Sequence, residues 1–350
     1  MIIKKKDELA LYNQYNTTVP QATEGVANLE DLGVQEQELF VHQDHSDLES
    51  EKITAPRYSY WKSVFRVFFK RKINIIFLAL LGFIIIFAYV YPLIIGYDAE
   101  VDPYINVLDH SAWDLTPEQA VEKFGFSLHW ILGTGSKGQA FFDFVWYGSS
   151  ISISLAFVCA AINMFVGVVI GAIWGFSKKV DIFMTELYNI IGNVPYVLII
   201  TVLVMLLTAS FWTMVFALTI TGWLGIAYFI RTQVIIIRDR EYNLASRCLG
   251  TNIFRIALKN ILPFMTSVIV TLLATEIPLY ISTEVFLSYI GIGLKDMSLG
   301  KIIEAGQQVM SVSGRQLQFW APVVISSIIT IVLYVVGQNL GDASDPRTHM

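Results

Sequence analysis

Three side chains able to do chemistry recur at steps of four inside an apolar stretch: Glu276, Tyr280 and Glu284. That spacing puts them on one face of a helix. Two carboxylates flanking a phenol can hold a cation or pass a proton. Inside a membrane span such groups must face water, a ligand or a partner, because facing lipid is costly. Elsewhere the chemistry is sparse. Gly133-Thr134-Gly135-Ser136-Lys137-Gly138 fits G-x-G-x-x-G. The dinucleotide fingerprint, however, needs a preceding strand and a following helix in a βαβ unit, and these glycines lie in a loop running into an apolar stretch. No G-x-x-x-x-G-K-[ST] phosphate loop occurs, so the chain does not hydrolyse ATP by that route. His42 and His45 sit in an acidic polar run that reads as solvated, and the sequon Asn16-Thr17-Thr18 reads as a chance match on a cytoplasmic tail. Cys159 and Cys248 are too few for a disulfide framework or a zinc cluster. No Ser/His/Asp, Cys/His or metal-ligand constellation stands out.

The elements that position these residues follow from composition. The chain has 350 residues, 55% hydrophobic and 15% charged, with a mean hydropathy of +0.57. Soluble proteins carry about 45–50% apolar and about 25% charged residues, so this is an all-α polytopic membrane protein. Crossing a bilayer takes roughly 20 helical residues. Six stretches qualify, at about 73–95, 149–176, 187–208, 211–230, 264–290 and 320–340. The third and fourth nearly touch at Ala209-Ser210 and read as a tight hairpin. Glu276 then lies roughly 18 Å from the start of the fifth span, and Pro278 is expected to kink it.

Charge sets the orientation. Residues 57–72 carry Arg57, Lys62, Arg66, Lys70, Arg71 and Lys72 and no acid, whereas 96–146 holds two lysines against eight acids. Lys178 and Lys179 follow the second span, and six further basic residues lie between Arg231 and Lys259. All basic clusters then share one side, with both termini cytoplasmic. Residues 1–56, with eleven acids against four lysines, read as a mobile tail without a signal peptide. Trp61, Phe65, Phe68 and Phe69, interleaved with Lys62, Arg66 and Lys70, suit an interfacial helix over 57–72. The extracytoplasmic loop 96–146 is aromatic enough to form a small helical cap. In the second span Asn163, Gly167, Gly171 and Gly175 fall on one face, as close helix packing requires.

The cytoplasmic link 231–263 is the most informative loop. Asp239 is placed to cap a short helix and Gly250 to end it. Between them Leu244 and Cys248, and Ala245 and Leu249, lie four apart and build a small apolar face. A second helical piece spans about Asn252–Asn260, and Pro263 suits the first turn of the fifth span. Such a short amphipathic helix can dock a cytoplasmic partner or lie on lipid headgroups.

The run Glu241-Tyr-Asn-Leu244-Ala245-Ser246-Arg247-Cys248-Leu249-Gly250, thirteen residues before Pro263, resembles the EAA loop of ABC-importer permeases. The resemblance is greatest to the C-type permease subunit of oligopeptide and dipeptide transporters. His129 to Leu155 resembles the family's approach to its second span. Glu284-Val-Phe-Leu287-Ser288-Tyr-Ile-Gly291-Ile-Gly293 resembles the end of the fifth, and Gly341-Asp342-Ala343-Ser344-Asp345-Pro346-Arg347 resembles the C-terminus. The likeness covers roughly 57–347, with a permease core over 147–347. Two departures stand out: the motif's acid is replaced at Leu244, leaving Glu241 as the nearby carboxylate, and Gly135 stands where the family commonly has an acid.

The resemblance implies a type I ABC-importer permease fold in a bacterial plasma membrane. It implies a second (B-type) permease, two cytoplasmic ATPases carrying ATP and Mg, an extracytoplasmic peptide-binding protein and an oligopeptide substrate. No cofactor on this chain and no nucleic acid are implied. Residues 241–250 and Pro263 would couple to an ATPase, making the chain a non-catalytic lever and half of a pathway. The shared face of Glu276, Tyr280 and Glu284 makes all three candidate pathway residues, with Glu276 meeting the peptide's amino terminus or else bonding the partner permease, and Glu284 favouring a structural role. Dipeptides or nickel are alternative solutes. An ion-coupled secondary transporter and a structural membrane subunit are the readings from other classes.

Overall fold

The computed structural model describes residues 59–97 and 110–345, so the expectation of a mobile tail over 1–56 lies outside the described residues. Every regular element among them is helical. Five helices are long and apolar enough to cross a membrane, and a sixth span is available if one bent pair is counted. Helix α1 (Tyr60–Lys70) is set off by an extended Arg71 from α2 (Lys72–Ile95), which carries a π-helical turn at Ile86–Val90. The chain then forms α3 (Pro117–Phe124), and α4 (Phe141–Phe176) follows. At 36 residues α4 is about 54 Å long, well beyond an apolar core of about 30 Å. It starts at Phe141 rather than near 149 because its first turns are buried under the cap: Phe141, Asp143 and Phe144 are all covered.

The third expected span, 187–208, falls on the bent pair and differs from the expectation in shape. Helix α5 (Lys178–Gly192) and helix α6 (Tyr196–Leu206) meet at a 75° bend. The break is at Asn193-Val194-Pro195, where proline lacks an N–H and drives its predecessor out of the helical region. With 11 residues, about 16 Å, α6 is too short to cross alone. The hairpin turn at 207–210 stands as expected and leads into α7 (Phe211–Thr219), whose first turn is capped by Ser210. After a break at Ile220-Thr221-Gly222 the span continues as α8 (Trp223–Arg238), eight residues beyond the expected end.

Helix α9 (Glu241–Cys248) and α10 (Ile253–Ile256) form the link. A π-helical turn at Ala257–Ile261 and a short turn at Leu262–Phe264 follow. Pro263 lies in that last turn, and Met265 leaves helical geometry before α11 (Thr266–Tyr289) begins, so Pro263 precedes the fifth span instead of opening it. Pro278 sits inside α11, which runs through it as one helix. An element the sequence did not announce comes next, α12 (Leu299–Val309), capped by the Ser298 hydroxyl, and then α13 (Leu317–Ser344).

The main core gathers Leu155, Cys159, Ile200, Met214, Leu218, Ile281, Leu287 and Ile329 from five helices. The glycine stripe of α4 does what its spacing predicts. A Cβ on Gly167 would meet Ile226, on Gly171 the Ala227 carbonyl, and on Gly175 Val234, so the backbones of α4 and α8 lie in close approach. At one end of this pair Asp181 accepts from Arg231 and from Trp174 (2.9 Å), and Arg231 stacks over Trp174 and Tyr228. These contacts tie α5 to α4 and α8.

The described part of the loop between α2 and α4 is the expected helical cap. Thr116 and Gln119 form a reciprocal capping box on α3, and Ala112, Ala120, Trp130 and Ala140 make a small core of their own. The G-x-G-x-x-G segment is a turn: Gly133, just before a Thr134–Ala140 bridge, and Gly138, inside the loop it closes, adopt positive φ, with no βαβ unit around them. Asp114 pairs with Arg315 (3.1 Å), and Gln318 donates to Asp114 and to the Thr134 carbonyl, fastening the cap to the α12–α13 connection. A further tie joins Tyr91, His129 and Asp143, with two contacts of 2.6 Å to the buried carboxylate.

Candidate functional site

The α9 knob is built to be held on one side and bare on the other. Its first turn is preceded by an extended Arg240 and has no side-chain cap; the expected cap, Asp239, instead closes the end of α8 and pairs with Arg238 at 3.2 Å. The C-terminal expectation is met in detail. Gly250 has φ +77°, its N–H bonds the Arg247 carbonyl (2.9 Å), and the Thr251 N–H bonds that of Ser246 (3.1 Å). This is a Schellman motif.

Inward, the fully buried Asn243 donates to the Ile237 carbonyl at 3.0 Å. Asn260 reaches the Asn243 and Ser246 side-chain oxygens at 3.3 and 3.5 Å. Arg247 stacks over Phe176, its guanidinium carbon 4.5 Å from the ring centroid. Arg238 donates to the Gly175 carbonyl at 2.7 Å, covering the end of α4. Outward, Glu241, Tyr242, Leu244, Ala245, Cys248 and Leu249 are exposed, Leu249 to 86%. Asn243 went unsingled in the sequence, although its four-residue spacing to Arg247 marks the face opposite the apolar one.

Of the three residues on α11, the structure keeps two together. Glu276, half-buried, and Tyr280 line a cavity of about 340 Å³ with Tyr196, Thr221, Gly222, Gly225, Ile226, Leu279 and Thr283. The cavity lies beside the α7–α8 break. There the Leu218 carbonyl, freed by the break, accepts from the Tyr196 hydroxyl (2.9 Å) and from Asn163 (3.3 Å). The same Asn163 amide donates to the Tyr280 hydroxyl at 2.5 Å. Gly222 is needed here, since a Cβ would meet the Leu218 carbonyl, Asn163 and Tyr280. Asn163, read from sequence only as part of a packing stripe, thus also holds the cavity wall. Thr221-Gly222 inside an apolar run was the available signal for the break.

Glu284 is elsewhere. It is fully buried and accepts from Ser152 (2.7 Å), Ser288 (2.9 Å) and Ser298 (2.6 Å). Ser152 also accepts the Leu299 N–H, and Ser298 caps α12. Glu284 therefore knots α4, α11 and α12, and it does not reach the Glu276 cavity.

Residues 167–350 match the family of binding-protein-dependent transport system inner membrane components. The chain belongs to this family. Residues 59–112 of this permease match the N-terminal transmembrane domain of oligopeptide transport permease C. The permease is 43% identical over 316 residues to the oligopeptide transport system permease protein AmiD of Streptococcus pneumoniae, covering 90% of this chain and 98% of that one. It is 32% identical to the oligopeptide transport system permease protein OppC of Bacillus subtilis, covering 85% and 93%. It is 30% identical to the dipeptide transport system permease protein DppC of the same organism, covering 89% and 93%.

Proposed function

We propose that this permease is the C-type subunit of an ATP-driven oligopeptide importer in a bacterial plasma membrane, with both termini cytoplasmic. Its partners are a second, B-type permease, two cytoplasmic ATPases that carry ATP and Mg, and an extracytoplasmic peptide-binding protein. The 43% identity to an oligopeptide permease supports the substrate class. The observation that carries the coupling role is α9 itself: a helix bolted inward through Asn243, Ser246 and Arg247 and bare outward at Leu244, Ala245, Cys248 and Leu249. The bare face seats in a groove on one ATPase. Closure of the ATPase pair then drags α9, and because α9 is fixed to the ends of α4 and α8, the spans move with it. Differential contacts in two states are what such a switch requires. The chain supplies no catalytic residue, and Glu276 and Tyr280 face the pathway, where the carboxylate meets the peptide's amino terminus.

Cys248 provides the test, with the buried Cys159 as the silent internal control. In membranes containing the assembled importer, maleimide modification of Cys248 is expected to be slower than in the permease without its ATPases, and to change with nucleotide. Identical labelling in both preparations would overturn docking at this face.

A further inference from the structure

Helix α1 presents three separate rows of side chains. The first, Val64 and Phe68 flanked by Tyr60 and Val67, is buried against Val336, Leu340 and Ala343 of α13. The Tyr60 hydroxyl donates to the Ser344 carbonyl (2.8 Å) and Asn74 donates to that of Phe68 (2.8 Å), so the helix is fixed at both ends. The second row, Trp61, Phe65 and Phe69, is 47–51% exposed and meets the buried row only edge-on, Phe69 against Phe68 and Trp61 against Tyr60. The third is Lys62, Arg66 and Lys70, all exposed and continued by Arg71 and Lys72. These five cations form no ion pair among the described residues, and no acid occurs between Glu51 and Asp98.

At about 100° per residue, the aromatic row lies between the other two, about 100° from each. A helix lying in a bilayer interface needs that order: apolar rings toward the acyl chains, with cations at headgroup height beside them. Position agrees with pattern, because only Arg71 separates α1 from the membrane-crossing α2. We propose that this face of α1 is a docking surface for anionic phospholipid, with Lys62, Arg66 and Lys70 meeting headgroup phosphates and Trp61, Phe65 and Phe69 seated among the upper acyl carbons. A neutral interface would satisfy the rings alone; the unpaired cations select the negative one. Since α1 is bonded to the end of α13, leaflet charge reaches a membrane-spanning helix directly. The inference rests on the membrane placement of α2 and on no reading of the substrate.

The test uses the full-length permease in nanodiscs of phosphatidylcholine alone or with 30% phosphatidylglycerol, read by amide hydrogen exchange over residues 60–72. Exchange is expected to be at least about fivefold slower in the anionic bilayer, roughly what one basic residue near such a surface contributes. The difference should shrink as salt rises. The variant K62Q/R66Q/K70Q changes only exposed side chains, so it should fold normally and lose the difference. Equal exchange in both bilayers, or an undiminished difference in the variant, would overturn the proposal. If deleting the acidic residues 2–56 alters α1 exchange while lipid charge does not, the tail is the occupant and the proposal fails.

Discussion

At the scale of single residues, two carboxylates eight positions apart on α11 have different fates, set by their neighbours. Glu284 has three hydroxyl donors and no solvent. Glu284→Ala leaves those hydroxyls without their acceptor and opens a void where α4, α11 and α12 meet. A buried polar group left unsatisfied costs about 1–3 kcal/mol, so the variant is expected to lose about 3 kcal/mol. A clear fall in the melting temperature of the detergent-solubilised permease checks this, and an unchanged value would remove the knot from the stability account. Glu284→Gln keeps one acceptor oxygen and should fall between. Glu276 borders open space and hydrogen-bonds Tyr280 one turn along its own helix, a bond a glutamine oxygen can still accept, so Glu276→Gln should leave the melt unchanged. In the reconstituted importer it should raise the apparent KM for peptides with a free amino terminus about tenfold, close to the low end for a charge-assisted hydrogen bond. N-acetylated peptides should show no change. Equal loss for both peptide forms would mean that the carboxylate serves the fold or the partner permease instead. Glu276 and Tyr280 were legible in the sequence as a row; the knot was not, because Ser152 lies 132 residues from Glu284 and Ser298 in a loop with no announced element.

Elements were legible where local chemistry and periodicity agree. Gly250 could be read because a Schellman turn needs only a residue that tolerates positive φ after a short amphipathic run, and both conditions are local. The glycine stripe of α4 could be read because lipid leaves close backbone approach as a main source of helix adhesion. Asp239 misled because the α8 helix persists to Arg238, turning a plausible N-cap for one helix into the C-terminal neighbour of another. The bend in the third span was hidden for a different reason. Hydropathy averages across Asn193-Val194-Pro195, whereas the backbone cannot, and the 75° bend follows from the proline's missing N–H and fixed φ. Helix α12 escaped notice because its buried residues Leu299, Ile302, Ile303 and Gly306 are interspersed with Lys301, Glu304 and Gln307 over only 11 residues. Its apolar pattern spans too few turns to stand out. Its start depends on a serine cap whose hydroxyl is itself recruited by Glu284.

At the scale of the whole molecule, the surface argues for assembly. Leu93 and Ile94 near one end of α2 and Phe165 midway along α4 are 72–80% exposed, as are Met205 and Leu206 at 77% at the end of α6 before the hairpin turn. Lipid can cover any of these; the outward face of α9 differs, because there Leu249 at 86% and Leu244 at 44% stand beside Glu241, Arg240 and Tyr242 on a link between spans. A mixed apolar and charged knob of this kind suits a soluble protein groove better than hydrocarbon. Purification of the tagged permease from its host membrane in a mild detergent is therefore expected to recover a second permease and two ATPases in fixed proportion, identified by mass spectrometry. Loss of the ATPases alone from a variant with Leu244 and Leu249 both replaced by Asp would locate their contact at α9, since neither side chain is buried in the permease. Recovery of the chain by itself, together with ion-driven peptide uptake in liposomes, would instead make Glu276 the centre of a self-sufficient transporter and leave α9 without a partner to drive it.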